Sequence, residues 1–106
     1  MAPALRNYKP QPLTLLRKRI DRLDLELLTR LSRRAALALL IGRIKKRRTW
    51  PVFDARREAF VLRCVTRDNR GPLSARAVRR VFQAILRECR RRQHPRARRP
   101  SSTVRG

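Results

Sequence analysis

The sequence predicts an all-α fold: three helices per chain, ordered long, short and medium, assembled as an intertwined homodimer. Three observations carry that reading. Apolar residues recur at three- and four-residue steps through three stretches. Capping residues, proline and glycine punctuate those stretches where helices should start and stop. The first stretch is also too long for any globule this chain could build alone.

Residues 1–12 hold Pro3, Pro10 and Pro12 and show no periodicity, so they read as a flexible N-terminal arm. Thr14 is a candidate cap for the long helix, which meets neither Pro nor Gly until Gly42. Leu16, Ile20, Leu23, Leu27 and Leu31 make its apolar stripe, and Leu28, Leu37, Leu39, Leu40, Ile41 and Ile44 add positions off that stripe. Gly42 weakens helix propensity without having to break the helix. Pro51 disfavours helix at Trp50, so the end is expected between Arg47 and Thr49. A helix from Thr14 to Arg47 is roughly 51 Å long, whereas a compact domain of this size has a radius of gyration of about 13 Å. Its length, and apolar positions on more than one face, point to a second copy covering what one chain cannot.

Asp54 is placed to cap the short helix, expected from Ala55 to about Thr66, with Ala59, Phe60, Leu62 and Val65 as its apolar positions. The sequence DNRGP, Asp68 to Pro72, has the composition of a turn. Ser74 then caps the third helix, Ala75 to about Gln93, whose buried face is expected to be Ala77, Val78, Val81, Phe82, Ile85 and Leu86. Residues 13–94 are thus one helical domain, and residues 95–106, rich in Pro, Arg and Ser, are expected to be a disordered basic tail.

Composition narrows the function. With 30 Lys+Arg against 7 Asp+Glu, a net charge of +23 attracts anions: nucleic acid, acidic lipid surfaces or an anionic small molecule. Cys64 and Cys89 make no disulfide framework, and with His94 the single histidine no metal site is expected. No signal peptide and no apolar run of membrane-spanning length is evident, so a cytoplasmic protein with no membrane partner is expected.

A few polar residues stand out on otherwise apolar helices. The eleven-residue step from Arg34 to Lys45 rotates by about 1,100°, roughly 20° off three turns, so both project from nearly one face about 16 Å apart. Arg17 is offset from Arg34 by roughly 100°, toward a different subunit. Asp54, Arg57 and Glu58 share one side of the second helix's first turn, and Cys89 and Gln93 are an i, i+4 pair. Together they can line one pocket between helices. Singly each has a plainer reading: Arg17 and Lys45 as members of the surface runs RKR and KKRR, Asp54 as a helix cap, Glu58 as compensation of the helix dipole, Cys89 as an inert thiol.

In joint register these residues resemble the all-helical (AroQ-class) chorismate mutases. The similarity runs from about Leu15 to Gln93. It is most specific in R-x-x-I-D-x-L-D (Arg17 to Asp24), R-x(7)-G-x-x-K (Arg34, Gly42, Lys45) and P-V-x-D-x-x-R-E (Pro51 to Glu58). The resemblance implies rearrangement of chorismate, a dianion, to prephenate without any cofactor. It implies that Arg34 and the Arg17 supplied by the partner chain each hold a carboxylate, with Arg57 assisting. Lys45 and Gln93 would face the ether oxygen. Glu58 would accept from the substrate hydroxyl, with Asp54 supporting that end. Cys89 stands where the family often has serine, and its thiol is the weaker hydrogen-bonding group.

No second catalytic or effector domain is evident, so a free-standing enzyme of aromatic amino acid biosynthesis is expected. Two alternatives stay open. One is a mutase-fold protein acting on isochorismate or a related anion. The other is a basic nucleic-acid-binding module, with nucleic acid reached only through the run RRRQHPRARR at Arg90 to Arg99. Against the second, aromatic residues for base stacking are only 5% of the chain.

Overall fold

The computed structural model describes residues 10–93. These form three helices, with no strand among the described residues: α1 (Pro10–Arg47), α2 (Ala55–Asp68) and α3 (Ala75–Gln93). The long–short–medium order matches the expectation. Residues 1–9 of the expected arm and the whole expected tail lie outside the described residues.

The start of α1 corrects the sequence reading. The helix begins at Pro10, not after Thr14, so Pro10 to Pro12 belong to it and not to an arm. Both prolines fall in the first turn. Backbone N–H groups there have no carbonyl four residues back, and proline's fixed φ suits the turn.

At its other end α1 closes as expected from Pro51, but through a specific device. Trp50 N–H donates to Lys45 O at 2.8 Å and Thr49 N–H to Lys46 O at 3.2 Å. Thr49 takes the left-handed φ of 56° between them. This is the paired-bond helix stop that usually places glycine at the left-handed position.

The chain divides into two units, one ending at Arg33 and the other beginning at Arg34. The first is the leading part of α1, where every residue from Pro12 to Arg33 is exposed, the stripe Leu16, Ile20, Leu23, Leu27 and Leu31 included. A lone helix has nothing of its own on which to bury such a stripe.

The second unit holds the rest of α1 with α2 and α3, and α2 packs on α3. Its buried apolar residues are Ala38, Leu62, Val78, Leu86 and Cys89. On α2 the inward face differs from expectation. Leu62 is buried and Val61 and Val65 are half-buried, while Ala59 and Phe60 are exposed. The stripe 58, 61, 62, 65 has the three–four spacing of one helix face, and Ala59 and Phe60 lie around the cylinder from it. Phe60 instead lies beneath the guanidinium groups of Arg57 and Arg63, 5.5 and 6.0 Å from its centroid. On α3 the expected face holds except at Val81, which is 50% exposed beside the inward row Val78, Phe82, Leu86, Cys89.

Both capping expectations hold. Asp54 Oδ1 accepts from Arg57 N–H at 3.0 Å, and Ser74 Oγ accepts from Ala77 N–H at 3.0 Å. Between the two helices Asn69 organises the turn: its side chain accepts from Gly71 N–H at 3.0 Å and donates to Leu73 O at 2.8 Å. Gly71 sits at φ 78°, where a side chain would be strained. α2 runs to Asp68, slightly past the expected Thr66, because the turn starts only at Asn69.

Candidate active site

All three helices of the second unit contribute to one cavity of about 420 Å³. From α1 come Arg34, Ala38, Ile41 and Lys45, spaced by four, three and four residues along one face. From α2 and its cap come Asp54, Arg57, Glu58 and Val61, and from α3 Leu86, Cys89, Arg90 and Gln93. Seven of the eight residues singled out in the sequence therefore meet here. The eighth, Arg17, is an exposed residue of the first unit.

Lys45 is the best-anchored polar group. Its Nζ donates to Val52 O at 2.6 Å and to Gln93 Oε1 at 3.0 Å. An ammonium only donates, so the amide must turn its oxygen to Lys45 and its N–H groups elsewhere. Lys45 has three donors, and these two bonds leave one for a ligand.

Gly42 explains how Gln93 reaches that position. A Cβ on Gly42 would lie 2.8 Å from Gln93 Cα and 3.0 Å from Gln93 O. The backbones of α1 and α3 therefore touch at a place only glycine permits, one helical turn before Lys45. The glycine is legible in the sequence, but its purpose is not.

Arg90 is the functional candidate that the sequence reading misses, because it stands first in the basic run RRRQHPRARR. Its Nη1 donates to Glu58 Oε2 at 2.6 Å, and its guanidinium carbon lies 4.9 Å from the Phe53 ring centroid. The available signal is spacing: Leu86, Arg90 and Gln93 recur at four and three residues on the inward face of α3. Arg34, Lys45, Arg57 and Arg90 against Asp54 and Glu58 give the cavity lining a net charge of +2. Away from the cavity, the exposed Asp68 is held below the usual carboxylate range by the hydrogen bond and charge of Arg67, a surface pair at the end of α2.

Fold and cavity together define an all-helical protein with a small, cation-rich site suited to an anionic ligand. A family model described as chorismate mutase type II matches residues 16–94. The chain belongs to that family. It is similar to the solved chorismate mutase of Thermus thermophilus in its form II, with a TM-score of 0.78 and 31% identity over 83% of this chain and 99% of that one. Form I of the same organism's chorismate mutase gives a TM-score of 0.72 and 33% identity over 74% and 98%. Among curated proteins it is 40% identical over 73 residues to the bifunctional chorismate mutase/prephenate dehydratase of Neisseria gonorrhoeae, covering 69% of this chain and 20% of that protein. The corresponding protein of Pseudomonas aeruginosa is 40% identical over 79 residues, covering 70% and 22%. The chain thus spans about a fifth of the length of these curated relatives. No helix among the described residues is long and apolar enough to cross a membrane.

Proposed function

We propose that this chain converts chorismate to prephenate, as a cytoplasmic homodimer whose two sites each borrow Arg17 from the partner chain. The observation that carries the reading is the convergence of Arg34, Lys45, Arg57, Glu58, Cys89 and Gln93 on one cavity. Family membership supports it over a nucleic-acid module. The dimer is supported by the exposed Leu/Ile stripe of the first unit, a large apolar surface that needs a cover.

The reaction breaks the ether C–O bond and forms a C–C bond in one cyclic rearrangement of electrons. It needs no nucleophile and no proton relay. A protein accelerates such a step by holding the substrate in its compact reactive shape and by aiming fixed donors where charge develops. Arg34 and the partner's Arg17 each clamp a carboxylate with a planar fork, helped by Arg57. Negative charge grows on the ether oxygen as its bond to carbon lengthens. The remaining donor of Lys45 and an N–H of Gln93 meet it there. Glu58 accepts from the ring hydroxyl, and Asp54 closes that end while capping α2. The lining charge of +2 becomes +3 with the partner's Arg17, so a bound dianion brings the filled site close to neutrality. Cys89, buried against the cavity, supplies shape more than hydrogen bonding.

The test is a chorismate-consumption assay with product identification on the full chain. Prephenate is the expected product, lost in Arg34→Ala and retained when residues 95–106 are deleted. Activity that disappears only with the tail would contradict the pocket, and turnover of isochorismate alone would move the assignment to the related substrate.

A further inference from the structure

We propose that Arg90 is a positioning residue for this rearrangement: it holds Glu58 by one carboxylate oxygen so that the other stays available to the substrate hydroxyl. The inference rests on the functional reading above. Three observations carry it.

First, the Arg90–Glu58 pair is unlike the other ion pairs of the described residues. Its side chains are 27% and 22% exposed, whereas the Arg67–Asp68, Arg87–Glu88 and Arg91–Glu88 pairs lie between 52% and 71%. Water competes less for a shielded pair, so its geometry persists where a surface pair's does not. Second, Phe53 gives the guanidinium a face to stack on, 4.9 Å from the ring centroid. Stacking fixes the plane of the fork and so the direction of the bond it donates. Third, that bond takes Glu58 Oε2 alone, and Oε1 has no hydrogen bond among the described residues.

The need for such a clamp follows from the other charges. Glu58 shares its cavity with Arg34, Lys45 and Arg57. A glutamate with three rotatable bonds and no fixed partner would turn to one of them. It would then occupy a cation that a substrate carboxylate requires. Arg90 prevents this from the inward face of α3, already engaged by Glu58 and so apart from the cations that grip the substrate.

The experiment is a double-mutant cycle on the full chain. Arg90→Met keeps the apolar stem and removes the fork; Glu58→Gln removes the charge it holds. Arg90→Met should lower kcat/KM by between about ten-fold and about 10²-fold, the range expected for misplacing a contact group by about 1 Å. In the Glu58→Gln background the same change should cost little further, because the two act as a unit. Arg90→Lys should fall between, retaining the charge without the fork. It carries the cycle by itself if Arg90→Met unfolds. Independent, additive losses would mean that Arg90 only packs on Phe53, and would overturn the inference. So would an Arg90→Met enzyme as active as wild type. A wild type that leaves chorismate untouched would instead overturn the functional reading, and this inference with it.

Discussion

Lys45 and Gln93, near the C-terminal ends of α1 and α3, are joined by a 3.0 Å hydrogen bond from ammonium to amide oxygen. That bond turns two surface-looking residues into one donor pair. The ammonium orients the amide, and its bond to the oxygen leaves the amide's N–H groups unengaged by Lys45.

Replacing Lys45 by Ala should lower kcat by about 10²–10³-fold, the usual loss for one preorganised donor. Far-UV circular dichroism should stay unchanged, since the two bonds lost run between elements and neither belongs to a helix's own backbone ladder. Gln93→Glu makes a sharper probe. An ionised carboxylate cannot donate to the ether oxygen, so the rate should fall at neutral pH and recover as acid protonates the new group. A pH-independent Gln93→Glu enzyme would contradict the assigned role.

Gly42→Ala should damage both stability and rate. The new methyl would meet the Gln93 backbone at 2.8 Å, and backbone cannot swing aside as a side chain can. Forcing α1 and α3 apart should cost about 1–3 kcal/mol, seen as a lower Tm, and should withdraw Gln93 from Lys45, seen as a lower kcat. If Tm and kcat both match wild type, the close approach is not what the glycine serves.

Thr49→Gly should do the opposite for stability. Thr49 holds φ 56°, a conformation that a β-branched residue adopts against its preference. Glycine there should raise stability by about 1 kcal/mol, measured by urea unfolding, with turnover unchanged because Thr49 lines no part of the cavity.

Arg17→Ala and Arg34→Ala should each be nearly inactive alone. Mixed under conditions that exchange subunits, they should regain activity. In the proposed homodimer, a mixed pair would join one intact cavity to the other chain's Arg17. Failure of the mixture, with both variants dimeric, would place Arg17 outside the site.

The excess positive charge should steer a dianion toward the cavity. kcat/KM should therefore fall as salt rises from about 0.01 M to about 0.15 M, as the Debye length shrinks from about 30 Å to about 8 Å, while kcat stays level. A salt-independent kcat/KM would leave the net charge of +23 without a role in capture.

Much of this molecule was determined by the sequence alone. Asp54, Ser74 and Pro51 are local signals, acting within one turn of where they stand. The helix number, order and inner boundaries could therefore be read to within a residue or two. The start at Pro10 escaped because proline is a breaker inside a helix but welcome in its first turn, and composition does not say which applies. Helical spacing put Arg34 and Lys45 on one face, and the structure returns them to one cavity. What the tertiary structure decided were the relations between helices. Gly42 against Gln93, Lys45 with Gln93 and Arg90 with Glu58 join residues distant along the chain. No periodicity within a single helix encodes which backbone will approach it, or which of thirty basic side chains will be turned inward to meet a carboxylate. That selection is made by packing, because only packing decides which charges are shielded from water.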